Sequence, residues 1–157
     1  MSVQLTARLV LTFSSVLREG AASYLVDEQS LCEFYFGVGD AQADWSCIGA
    51  YTIAASGTKN IDFNDWMDAT PPSEFLSVKG LYVRNDSQVG GASVQIGGSF
   101  SVIAGCQTAL PPRGAVVFVN PTADGWDTSV PNSILQITNL SASVAASVRV
   151  AAIGVRV

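Results

Sequence analysis

The chain contains no histidine among its 157 residues. Serine–histidine and cysteine–histidine nucleophile pairs are therefore excluded, as is any metal site built on imidazole. Cysteine is scarce: Cys32, Cys47 and Cys106 make an odd set with no CxxC spacing. Reduced, mostly buried thiols are the expectation for a domain of this size, with a Cys32–Cys47 bridge as the one alternative. Charge is scarce as well, at 13% of residues against roughly 25% in ordinary globular chains. No apolar run reaches the roughly 18 residues a membrane-spanning helix needs. Residues 1–13 lack the basic leader and cleavage site of a signal peptide, so synthesis and retention in a cytoplasm-like compartment are expected. Neither the dinucleotide-binding nor the ATP-binding glycine motif occurs.

The few charges are unevenly placed. Residues 1–75 carry ten carboxylates against Arg8, Arg18 and Lys59, whereas residues 76–157 carry three against five cations. No cluster of Lys and Arg offers the stripe that phosphate-backbone binding requires, so direct nucleic-acid binding is not expected. With charge low, Ser, Ala, Gly and Val fill the surface, or neighbouring subunits cover part of it.

What the chain does have is strand pattern. From Val3 to Phe13 every odd position is apolar and most even positions are polar, the period of a half-buried strand. Residues 14–20 read as a turn, and residues 21–36 as a second apolar stretch anchored by Tyr24 and Phe34. Further strands are predicted at 45–55, 75–84, 92–96, 100–103, 115–119, 134–138 and 144–157. The turn chemistry at 54–57 reads as a hairpin into 61–63, and Gly90–Gly91 and Gly97–Gly98 read as hairpin turns. Pro71 and Pro72 stop anything more than a short helix in 65–72. The apolar phase of the last strand switches near 152–154, which a β-bulge or burial of both faces would explain. Three strands end in asparagine, at Asn85, Asn120 and Asn139, each with Ser or Pro close behind. The expectation is one domain over 1–157: an all-β, two-sheet antiparallel sandwich, jelly-roll-like, of about 8–10 strands, with strand 3–13 open to exchange between subunits.

Candidate chemistry is thin. Asp62, Asp65 and Asp68 lie around Asn64, oxygen ligands of the kind a calcium loop uses, but the EF-hand glycine and terminal glutamate are missing. The competing reading, a solvated acidic loop, is preferred. Asp124, Trp126 and Asp127 form a loop that a sugar-binding sandwich would use as a platform; the plainer reading is a turn with Trp126 over a sheet edge. Trp45 and Trp66 read as half-buried. Nothing places two carboxylates across a cleft, so the expectation is no catalytic residue, no metal, no cofactor and no enzyme.

The ordered series 51–63, 75–85, 92–96, 112–121, 125–128, 135–140 and 148–154 resembles small β-rich structural proteins of tailed bacteriophages. The resemblance covers about two thirds of the chain and rests on turn signatures; the extended 65–72 segment departs from it. It implies a non-enzymatic virion protein, made in the host cytoplasm, that decorates and cements the capsid. The implied partners are the major capsid protein or other virion proteins and further copies of the chain, trimers favoured. Tail or baseplate accessory proteins and receptor- or glycan-binding modules are the alternatives.

Overall fold

A computed structural model describes residues 7–19, 22–36, 39, 42–120 and 122–156. The described residues are all β, in twelve strands: β1 (Ala7–Glu19), β2 (Ala22–Phe36), β3 (Gln42–Ala43), β4 (Trp45–Ile53), β5 (Thr58–Asp62), β6 (Phe75–Asn85), β7 (Val94–Gly98), β8 (Thr108–Leu110), β9 (Ala115–Val119), β10 (Trp126–Asp127), β11 (Ile134–Asn139) and β12 (Ala146–Arg156). Residues 3–6 of the expected first strand lie outside the described residues.

Two antiparallel sheets pack face to face. One runs β4–β12–β6, with β9 and β10 sharing the far edge of β6; the other runs β5–β11–β7–β8. Leaving aside the two-residue β10 and counting from β4, the sheets hold strands one-eight-three-six and two-seven-four-five. That order is the eight-stranded jelly roll. Of these eight, only β7 and β8 are consecutive strands that pair with each other. Every other connection crosses from one sheet to the other.

This crossing corrects the hairpin expected at 54–57. Its tight turn exists, with the Gly57 N–H donating to the Ala54 carbonyl at 2.9 Å. However, β4 pairs with β12 while β5 pairs with β11, so the turn is a corner between sheets. Gly97 and Gly98 are likewise not a turn but the end of β7, opposite Gln136 and Leu135. Residues 100–103 are not a strand. Successive turns close there (Ile103 N–H to Phe100 carbonyl, Cys106 N–H to Ile103 carbonyl, both 2.9 Å) and plant Phe100 and Ile103 in the core. The turn expected at 14–20 is strand as far as Glu19, paired residue for residue with β2.

The core follows from period-two alternation. Along β12, Ala146, Val148, Val150 and Ala152 point inward, against Leu81 and Val83 of β6 and Leu135 and Ile137 of β11. Phe63 sits at its centre, edge-on to Phe100 at 4.8 Å and to Trp66 at 5.5 Å, geometry that aromatic quadrupoles favour. Trp66, expected half-buried, is 1% exposed. The bulge expected near 152–154 is present: Ile153 pairs with Gly80 but Gly154 with Val78, leaving Lys79 as the extra residue on β6. Gly154 is required by the closeness of the chains there, since a Cβ would lie 2.1 Å from the Ser77 carbonyl oxygen.

Candidate interaction surface

The three strand-ending asparagines tie the sandwich together. Asn85, fully buried, donates its amide to the carbonyls of Ala92 and Leu110 and accepts from the Ser87 N–H. Asn139 donates to the carbonyls of Ile53, Ala54 and Val144 and accepts from the Ser141 N–H. Asn120 holds the 120–125 turn, through the Gly125 carbonyl and Thr122. A planar amide with both donors and an acceptor satisfies backbone groups that a strand end would otherwise leave unpaired.

The acidic residues around Asn64 do not converge. Asp62 accepts from the Asn64 N–H, an Asx turn, and Asp65 is exposed. Asp68 belongs to a different arrangement. Trp66 Nε1–H donates to Tyr51 Oη, Tyr51 donates to Asp68 Oδ1 at 2.9 Å, and Lys59 pairs with Asp68 Oδ2 while lying 4.6 Å over the Tyr51 ring. Burial alone would raise the Asp68 pKa, but hydrogen bonds from Lys59 and Tyr51 outweigh it and lower it. Burial is also the main cause of the raised pKa of Tyr51. The chain of contacts fastens the 65–72 segment to the sandwich. Among the described residues, no three His, Cys, Asp or Glu side chains gather closely enough to hold a metal.

The tryptophan loop is also tied down. Trp126 pairs with Val78 in β10 and packs edge-on to Phe100 at 6.1 Å, so it is half-buried rather than a free platform. Asp127 is held by the side chain and backbone of Ser129, which lower its pKa. Beside it Leu76, Ala123, Asp124 and Val155 line a shallow groove of about 280 Å³. A second, of about 230 Å³, lies over β7 and β11, where the amides of Gln95, Gln107 and Gln136 and the Thr138 hydroxyl join Ile96, Cys106 and three glycines. Cys47 is a free, buried thiol, which removes the Cys32–Cys47 bridge; burial pushes its pKa up to about 12, an effect that the nearby Ser73 hydroxyl only partly offsets.

β1 and β2 form a long two-stranded ribbon. Thirteen residue pairs in continuous antiparallel register give it a length of about 40 Å. Among the described residues, its strand pairing beyond β1 is that of Tyr35 and Phe36 beside β3. In that register Leu9 lies opposite Cys32 and Leu17 opposite Tyr24. Its root is anchored. The fully buried Lys79 donates to the Gly39 carbonyl at 2.7 Å, the Asp44 N–H donates to the Gly154 carbonyl, and Asp44 Oδ1 accepts from the Arg156 N–H. The Arg156 guanidinium stacks 4.1 Å over Trp45. The sequence signal for Lys79 was slight: a lone lysine in an apolar strand, next to a glycine.

No protein-family model, curated protein or solved structure matches the chain. What its fold defines is an all-β jelly roll carrying a long two-stranded ribbon, and no relative's activity transfers to it.

Proposed function

We propose that the chain is a non-enzymatic structural protein of a phage virion, binding and stabilising the capsid surface as a decoration protein. The observation that carries the reading is the jelly roll, an architecture used by viral capsid and lectin domains, with a long ribbon rooted at one end. An isolated two-stranded ribbon is marginal in water. This one gains stability when it lies against other copies or against a shell protein, and a closed homo-oligomer, a trimer foremost, supplies such a neighbour. The sequence resemblance to small phage structural proteins points the same way. A tail or baseplate position fits the same surface.

A second reading has its own observation: the uncharged amide and hydroxyl groove over β7 and β11 has the chemistry to bind a neutral polyol such as a glycan. Quantitative mass spectrometry of separated heads and tails of the encoding virus tests the main reading. Many copies per head support it, confinement to tails moves the protein to the accessory role, and absence from both overturns it. Glycan-array binding abolished by Gln136→Ala would instead favour the second reading.

A further inference from the structure

We infer that β9 is a docking edge for a second copy of this chain, the two β9 strands pairing antiparallel about a two-fold axis at Val117. The contact goes beyond the virion reading and does not rest on it.

Sheet edges attract foreign strands unless they are blunted by charge, proline, shortness or a covering segment. Most edges of this sandwich are blunted. The β4 edge is partly covered by the 65–72 segment, where Ile48 and Thr70 exchange N–H···O bonds of 3.1 and 2.7 Å. β5 carries Lys59, ion-paired to Asp68. β8 has three residues and runs into Pro111 and Pro112. β10 has two residues and an exposed Asp127. Among the described residues, β9 has none of these devices. Its five residues, Ala, Val, Val, Phe and Val, are uncharged and at least partly exposed, and their register with β6 is unbroken.

The backbone directions fit a self-pairing. At the two ends, the Asn85 N–H donates to the Gly114 carbonyl and the Asn120 N–H to the Lys79 carbonyl. With continuous register between them, Val116 and Phe118 bond to β6, while Ala115, Val117 and Val119 turn their N–H and C=O groups outward. That outward set is centred on Val117. An antiparallel partner placed about a two-fold there sets Ala115 opposite Val119, Val117 opposite Val117 and Val119 opposite Ala115, and every outward group finds its complement. The ends match in charge. Arg113, exposed just before β9, faces the partner's 120–124 turn, which carries the exposed Asp124. Neither residue has an ion-pair partner among the described residues. The same patch on both copies makes the contact isologous and self-limiting.

Three variants of the full chain test it, with mass measured by sedimentation velocity and multi-angle scattering over a concentration series. Val117→Pro removes only an outward N–H, and is expected to halve the assembly mass while keeping the thermal transition. Val117→Lys serves the same purpose if the proline variant does not fold. Val117→Cys, combined with Cys32→Ser and Cys106→Ser, is expected to give a covalent pair on mild oxidation. Retention of wild-type mass by the variant that folds overturns the inference. So does an unlinked Val117→Cys variant, including the case where Val117→Pro still loses mass because another strand, such as a neighbour's ribbon, occupies the edge.

Discussion

The side-chain amide of Asn139, at the end of β11, donates across the sandwich to the carbonyl of Ile53, the last residue of β4 in the opposite sheet, at 3.1 Å. Asn85 makes the complementary crossing, from β6 to the Leu110 carbonyl of β8. Each sheet thus sends one buried amide to the other. Replacing Asn139 by alanine strands the Ile53 carbonyl in the interior and removes the partner of the part-buried Ala54 and Val144 carbonyls. Asn139→Ala should therefore lose about 3 kcal/mol of unfolding free energy, Asn85→Ala about as much, and the half-exposed Asn120→Ala about 1 kcal/mol. Urea titrations of the three variants, with unchanged m-values, are the measurement.

The tight approach of β7 and β11 gives a second expectation. A Cβ on Gly98 would lie 2.3 Å from the Ile134 carbonyl oxygen, at a φ of +122°. Gly105 also has positive φ, +77°, but open space around it. Gly98→Ala should destabilise by about 3 kcal/mol or more, through collision as well as strain, whereas Gly105→Ala should show only the left-handed cost of about 1 kcal/mol. Thermal melts of both proteins separate the two effects.

Those glycines show where the sequence was legible and where it was not. Alternation located most strands, because burying one face imposes period two whichever sheet the strand joins. The asparagine stops were visible for a similar reason: a strand end needs a local partner for its backbone. Sheet membership was not visible. The Gly57 N–H to Ala54 carbonyl bond is the same in a hairpin and in a corner, and the choice is made by the pairing of β5 with β11, far along the chain. Gly97 and Gly98 looked like a turn because glycine's other use, admitting a neighbouring backbone, leaves no local trace. Phe100 and Ile103 lie in an apolar run that reads as a strand, but successive tight turns bury them instead. For the interaction surface, the apolar run 115–119 was plain from sequence, but its position at an unprotected edge depends on which strands flank β6.

Lys79 fastens the root of the ribbon to the sandwich through the Gly39 carbonyl. Lys79→Met retains the buried stem and removes the ammonium. The sandwich should keep its cooperative transition, while cleavage before Asp44 by an aspartate-specific protease should accelerate about tenfold, as local closure weakens. Equal cleavage rates in the two proteins would show that the anchor does not restrain the segment.

The two described thiols should differ sharply in reactivity. Cys106 is exposed, whereas Cys47 is buried and its pKa is pushed up to about 12, so at pH 8 it is both inaccessible and protonated. In a Cys32→Ser background, an aromatic disulfide reagent should titrate one thiol in the native protein and the second only with global unfolding. The second rate then reports the opening of the core beneath β4.

The ion pair between Lys59 and Asp68 sets an acid limit on stability. The folded-state pKa of Asp68 is depressed, so its contribution is present above the unfolded carboxylate value, near 3.9, and is lost as pH falls through the lower folded value. The carboxylate is half-exposed, at 51%, so screening holds the contribution to about 1 kcal/mol or less. Asp68→Asn should melt below the wild type between pH 5 and 7, with the two converging below about pH 3. Tyr51 acts at the other limit. Its raised pKa gives stability that is whole below the unfolded tyrosine value, near 10, and is lost as pH rises past it toward the folded value. Tyr51→Phe should flatten that alkaline limb while also costing the hydrogen bonds to Trp66 and Asp68 at neutral pH. Melting curves across pH 2–11 for the three proteins resolve both limbs. An unchanged acid limb in Asp68→Asn would mean that the pair with Lys59 adds nothing to the fold.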